Sequence, residues 1–305
     1  MHRRHALALA IVALAACKKQ EQAARPAADT AFTVRDSFRT PESVLYDAAA
    51  DIYLVSNVNG AAVAKDNNGF ISRVSPDGHV LALKFIEGGR NGATLNAPKG
   101  MGIHGDTLFV ADIDELRMFS RTSGAALGSK AVPGATFLND VDVAPDGAVY
   151  FSDSGLKPDF SSSGTDAVYR LDRTGLHKIA HGTDLARPNG VLADSAGVTV
   201  VAFGANKIYH LDLQGHRTNL PDTPHGQLDG IVRLADGTLL VSSWEDSSVV
   251  GMKPGATMYM MVAHGIESPA DIGLDTKRNR LLVPSFNGNR IEVRPIAPAA
   301  SGHGQ

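Results

Sequence analysis

Scarcity marks this chain first: its 305 residues include one cysteine, one tryptophan and 6% aromatics, and its 29 Lys and Arg stand against 32 Asp and Glu. A single cysteine cannot close a disulfide within the chain. The near balance of charge leaves no basic excess for nucleic acid. After residue 17 no helical period of useful length occurs, which counts against a doubly wound α/β fold. The motifs of the common hydrolases are missing too. There is no G-x-S-x-G elbow, no H-E-x-x-H pair and no second thiol, so serine, zinc and cysteine hydrolase arrangements have no support.

What is present begins with a leader. Arg3 and Arg4 precede an apolar run from Ala6 to Ala16, the pattern of an export signal, too short to span a bilayer as a mature helix. The run ends in Leu14-Ala15-Ala16-Cys17, which resembles the lipobox of bacterial lipoproteins. That resemblance implies cleavage before Cys17 and lipidation of Cys17 as the new N-terminus. The mature chain would then carry 27 basic against 32 acidic residues. The stretch up to Thr30, rich in Ala, Gln and Lys/Glu with one Pro, has no strand alternation and reads as a tether. Lys18-Lys19 lacks the acidic retention signal of such lipoproteins, which points to the outer membrane, facing the periplasm. The expected division is signal peptide 1–16, tether 17–30, folded domain 31–295 and C-terminal tail 296–305.

Within 31–295 one unit recurs. Aligned on a polar residue followed by a small or acidic one and then an aliphatic, the copies begin Glu42-Ser43-Val44, Lys99-Gly100-Met101, Asn139-Asp140-Val141, Asn189-Gly190-Val191, Asp229-Gly230-Ile231 and Ala270-Asp271-Ile272, with gaps of 57, 40, 50, 40 and 41. A period of about 40 to 50 residues belongs to propeller blades or solenoid repeats. Each copy continues through a turn, such as Asp146-Gly147, into a second β run (AVYFSD, VTVVAF, TLLVSS, RLLVPS), and most add a third and a fourth, such as KIYHLD at 207–212 and VLALKF at 80–85. Four antiparallel strands per repeat predict an all-β, six-bladed β-propeller. The sixth copy ends after its third strand, while AFTVRDSF at 31–38 belongs to no complete blade. This N-terminal strand is predicted to complete the sixth blade, closing the ring and hiding its edges. The longer gaps place insertions at 59–69, 87–97 and 155–166, on the rim of one face.

The first strand of every propeller blade lines the central channel, so Glu42, Lys99, Asn139, Asn189, Asp229 and Ala270 should meet as a ring. Two carboxylates and two amides are hard oxygen donors that suit Ca²⁺ or another divalent metal, whereas nothing offers the Cys or clustered His of a zinc site. Glu42, Asn139, Asn189 and Asp229 are therefore the predicted metal ligands. Lys99 is discordant, because an ammonium repels a cation unless it points at Asp140, Asp271 or a substrate carboxylate; it is a structural ion pair, a substrate anchor or the mark of an inactive, metal-free site. Asp140 and Asp271, one residue past the ring, should face away from the axis by strand alternation and brace the blades. His225, in PDTPHGQLDG ahead of Asp229, is a candidate for substrate binding or proton shuttling at the channel mouth. Trp244 and Phe203 share a position in their second strands, where packing between sheets is expected. Asp112 and Asp153 are similarly placed and should cap or brace loops.

Glu42 in TPESVLYD, Asn139 in LNDVDVAPDG, Asn189 in RPNGVLADSAG and Asp229 in LDGIVRLADG make the chain, from roughly 31 to 295, resemble the senescence-marker-protein/gluconolactonase family of six-bladed propellers, and more distantly the paraoxonases. The resemblance implies that Glu42, Asn189 and Asp229 hold a catalytic divalent metal, that Asn139 helps bind substrate or metal, and that Asp229 is the base. A Ca²⁺ facing an open cavity would polarise a lactone carbonyl while Asp229 accepts a proton from an attacking water, a hydrolysis without a covalent intermediate. The expected function is a metal-dependent hydrolase acting on a small-molecule lactone or similar ester, monomeric and touching the membrane only through its lipid. The alternative is a non-catalytic, envelope-anchored binding or scaffold propeller.

Overall fold

The computed structural model describes residues 30–296. The leader, Cys17, and all but the last residue of the tether and the first of the C-terminal tail lie outside the described residues. Between them, alternating Val, Ile, Leu and Tyr build six four-stranded antiparallel sheets. The helical content among the described residues is one 3-10 turn, Thr183–Leu185. The innermost strands are Pro41–Asp47, Pro98–His104, Leu138–Val143, Pro188–Asp194, Leu228–Arg233 and Gly273–Asp275, one for each of blades 1 to 6.

Blades 1 to 5 are each contiguous in the chain, and blade 6 joins its two ends. Phe32–Val34 pairs antiparallel with Arg290–Pro295, with Phe32 opposite Val293 and Val34 opposite Ile291. The predicted closure therefore forms, through a shorter strand than 31–38. It is sealed by a buried cluster in which Val34, Phe38 and Val293 pack with Val44 and Tyr53 of blade 1. Each such fully buried side chain stabilises the closure by about 1.5–3 kcal/mol. The rest of the core is likewise shared between neighbouring blades. Leu54 and Ile71 of blade 1 meet Met101 and Val110 of blade 2, and Tyr150 and Val168 of blade 3 meet Val191 and Val200 of blade 4.

The inner strands of blades 1 to 5 all bulge at one place, between Pro41 and Val44, Pro98 and Met101, Leu138 and Val141, Pro188 and Val191, and Leu228 and Ile231. In blade 1, Glu42 and Ser43 together stand opposite Ser56. The bulge turns the strand and suspends strict alternation at the ring residue and its successor. It also explains why that successor is glycine in blades 2, 4 and 5. A Cβ on Gly190 would lie 2.2 Å from the Asp229 carbonyl oxygen, because the backbone of the next blade passes there.

Candidate active site

Each ring residue arrives on a loop that the end of a second strand holds in place. Buried Asp112 accepts the Asn96 and Ala97 amides at 3.1 and 2.8 Å, fixing the approach to Lys99. Asp153 accepts the Phe137 and Gly155 amides at 2.9 and 3.0 Å, fixing the approach to Asn139. The Ser243 hydroxyl donates to the Gly226 carbonyl at 2.7 Å ahead of Asp229. Asp112 and Asp153 thus brace loops, as expected.

The backbone amides freed by the bulges find partners on the second strands. Ser56, Ser152 and Ser242 accept from the amides of Ser43, Asp140 and Gly230 at 2.9, 3.1 and 2.8 Å. Ser152 and Ser242 then donate to the carbonyls of Asn189 and Ala270 in the next blade, at 2.7 and 2.9 Å. Asn139 is oriented similarly: its Nδ2 donates to Ser154 Oγ at 2.9 Å, and Ser154 donates to the Pro188 carbonyl at 2.7 Å, which leaves Asn139 Oδ1 free. Sequence reasoning missed these serines. Their signal was the recurrent Ser in AVYFSD and TLLVSS, read there only as strand, and its counterpart in IYLVSN of blade 1.

Glu42, Lys99, Asn139, Asn189 and Asp229 line a single cavity of 360 Å³. Within it Glu42 Oε2, Asn139 Oδ1, Asn189 Oδ1 and Asp229 Oδ1 are buried without any hydrogen-bond partner. Burying such acceptors unpaired costs about 1–3 kcal/mol each, more for charged groups, so their gathering asks for an external partner. The same burial bears on the two carboxyl groups. Burial, then the Asp229 charge, pushes the Glu42 carboxyl well above its usual range. Burial, then Asp140, pushes Asp229 up to about 8, against the opposing influence of the neighbouring Trp244 and Asn189. No group of three His, Cys, Asp or Glu side chains suited to a metal occurs among the described residues. The donors here are instead two carboxylates and two amides, the set of a hard cation that fills its remaining positions with water or substrate. The residues fit a Ca²⁺-like ion.

Lys99 is accommodated differently from expectation. It forms no ion pair with Asp140 or Asp271; its Nζ donates to the Ala62 and Ala97 carbonyls at 3.0 and 3.1 Å and sits 4.4 Å from the centre of the Phe137 ring. Burial lowers its pKa to about 8, partly offset by Glu42. Its charge is spent on carbonyl dipoles and a ring face, which reduces the repulsion it would exert on a cation.

Three further expectations change. Asp140 and Asp271 do not face away from the axis: they line a second, deeper space of 200 Å³ with Val44, Met101 and Val191, because the bulge suspends alternation. Their bracing role holds, since Asp140 accepts the Val141 and Val191 amides, each at 2.7 Å, and Asp271 accepts the Ser43 hydroxyl at 2.5 Å. Trp244 and Phe203 are not packed between sheets but wall the cavity, edge to face with centroids 5.7 Å apart. His225, a candidate for the channel mouth, does not line the cavity. Its loop turns it toward Asp246, 3.5 Å away, in an open rim depression beside Arg187 and Glu245. Two of the three insertions reach the cavity, through Ala62 and through Leu156 and Phe160; no residue of 87–97 lines it.

The family model described as SMP-30/Gluconolactonase/LRE-like region matches residues 40–287. No curated protein sequence matches the chain. Among solved structures, a gluconolactonase from Xanthomonas campestris is 18% identical, with a TM-score of 0.67 over 87% of this chain and 89% of that one. A structural-genomics target provisionally described as a gluconolactonase is 21% identical, with a TM-score of 0.67 over 89% and 93%. A streptogramin B lyase is 12% identical, with a TM-score of 0.62 over 87% and 96%. At such identities the likeness carries the fold and leaves the chemistry to the site.

Proposed function

We propose, for a chain that belongs to the SMP-30/gluconolactonase/LRE-like family, that the channel cavity is the active centre of a metal-dependent hydrolase that opens a lactone or a similar ester. The observation that carries this reading is the set of four buried, unpartnered oxygens of Glu42, Asn139, Asn189 and Asp229 in one open cavity. These residues would hold a divalent cation, Ca²⁺ by donor type, which when bound supplies Lewis acidity to the ester carbonyl.

The chain's own residues do the rest. Asp229, which would also help to hold the cation, is the cavity carboxylate placed to accept a proton as general base. It takes that proton from the attacking water, whose oxygen adds to the carbonyl carbon. The ring C–O bond then breaks and the leaving oxygen takes the proton back, giving a hydroxy acid. Asn139, held by Ser154, orients the substrate. Lys99 keeps a positive charge beside the ring that favours the carboxylate product. Upstream, the Cys17 motif supports an envelope lipoprotein, tested by radiolabelled fatty acid incorporation that Cys17→Ser should abolish.

The test is calorimetric titration of Ca²⁺ into the metal-stripped full chain, with Asp229→Asn alongside, followed by a lactone hydrolysis assay. One site, lost in the variant together with turnover, is expected. No binding up to about millimolar Ca²⁺ would overturn the assignment and leave the non-catalytic propeller.

A further inference from the structure

Resting on that hydrolase reading, we propose that the substrate carries an apolar group, a short hydrocarbon chain or an aromatic ring, beside its ester carbonyl, and is not a polyhydroxylated sugar lactone. The cavity is polar at its floor and apolar on its walls. Above Glu42, Lys99, Asn139, Asn189 and Asp229 rise Phe137, Leu156 and Phe160 of blade 3 and Phe203, Trp244 and Phe286 of blades 4, 5 and 6. Trp244 links the second group into one wall, 5.7 Å from Phe203 and 5.4 Å from Phe286 between ring centres. Of the other polar lining groups, Ser154 is engaged with Asn139 and Pro188, and the exposed Asn287 spends its Nδ2 on Ser268 Oγ at 2.7 Å, leaving one amide oxygen at the rim. The indole N–H of Trp244 is directed at Asp229. A sugar lactone would bury several hydroxyls against rings that cannot pair with them, and each unpaired hydroxyl opposes binding.

Phe160 strengthens the case. It is 57% exposed, at the tip of the 155–166 insertion, with a left-handed φ of 59° that bulky residues rarely adopt. Its ring packs edge to face on Phe137, with centroids 6.4 Å apart, and both rings line the cavity. An exposed phenyl held in an unfavourable backbone conformation contributes little to the core, but it can cover an apolar ligand. The volume of 360 Å³ suits a small molecule, at the low end of the usual range of about 300–1,000 Å³.

The experiment compares kcat/KM for glucono-δ-lactone with that for δ-lactones bearing alkyl tails of one to six carbons and for an aryl-fused δ-lactone, on the Ca²⁺-loaded full chain. The apolar lactones should be favoured by at least about 100-fold, rising about threefold to fourfold per methylene until the cavity is filled. Phe160→Ser should raise KM for the apolar series about tenfold with little change in kcat. In parallel, the alkyl-substituted cyclohexanones of matching shape, which have no scissile bond, should shift the emission of Trp244, the only tryptophan in the chain, saturably and more weakly in Phe160→Ser. If glucono-δ-lactone is turned over as well as the apolar series, this proposal fails and the hydrolase reading stands. If no lactone is hydrolysed but the cyclohexanones saturate the Trp244 signal, the hydrolase reading fails and the apolar ligand class stands. No preference in turnover and no saturable shift would overturn it outright.

Discussion

The two halves of the central channel are built from the same six inner strands and both contain carboxylates, yet they differ in what those carboxylates touch. At the mouth, Glu42 and Asp229 each keep a buried oxygen without a partner, beside the free amide oxygens of Asn139 and Asn189. Deeper down, Asp140 accepts two backbone amides, Asp142 accepts the Val143 and Ala193 amides at 2.8 and 2.7 Å, and Asp271 accepts Ser43. Burial raises the pKa of the deep acids as well, Asp142 to about 6 and Asp271 to about 8. A raised pKa therefore does not distinguish the halves. What does is the unspent lone pair: the deep acids bind the blades to one another, and the mouth acids are left open to a ligand.

Substitutions at equivalent depths would break or sharpen this contrast. The largest effect is expected from Asp229→Asn, which keeps the shape of the side chain but removes charge and basicity. It should lower kcat/KM by about 10³-fold and abolish Ca²⁺ binding, with the melting temperature unchanged or raised. Calorimetry and a lactone assay read both, and retained binding would sink the mouth assignment. In the deep half the balance should invert. Asp140→Ala strands the buried Val141 and Val191 amides and should cost about 2–4 kcal/mol in urea unfolding, while Ca²⁺ affinity stays within about fivefold.

A third test uses pH. Asp229 binds its proton more tightly folded than unfolded, so its contribution to stability is fully present below the ordinary carboxylate range and is lost as pH rises toward about 8. The metal-free chain should accordingly melt at lower temperature at pH 8 than at pH 5. Added Ca²⁺ must displace that proton, so its apparent affinity and its gain in melting temperature should both grow across the same interval and level off above it. A gain that does not change with pH would show that the cation binds elsewhere. The smallest effect is expected from Ser152→Ala, which unpairs the Asp140 amide and loosens the Asn189 carbonyl. A loss of about 1–2 kcal/mol in stability with a severalfold weaker Ca²⁺ site would show that the deep hydrogen bonds also position the mouth.

Much of this was legible in the chain itself. The recurrence of a polar residue, a small or acidic one and an aliphatic marked the blades, and the surplus strand near Phe32 marked the closure, because a repeat that cannot bury its edge alone must find it elsewhere. Glu42, Asn139, Asn189 and Asp229 could be grouped because equivalent positions of a closed ring meet at its axis. Asp140 and Asp271 were misplaced because alternation was carried through a bulge that leaves little trace in sequence beyond a glycine at the equivalent position of three blades. The carbonyl partners of Lys99, in place of the ion pair that the sequence suggested, escaped notice because Ala62 and Ala97 belong to loops whose course no local pattern encodes. Trp244 and Phe203 looked like core because a strand-end aromatic is ambiguous until the neighbouring loops are in place.

Sequence alone thus determined the architecture and which polar residues meet at the channel mouth, since both follow from periodicity. Tertiary structure decided which of those donors remain unpartnered, where the Lys99 charge is directed and what walls the cavity, since each depends on hydrogen bonds and ring contacts between residues tens of positions apart.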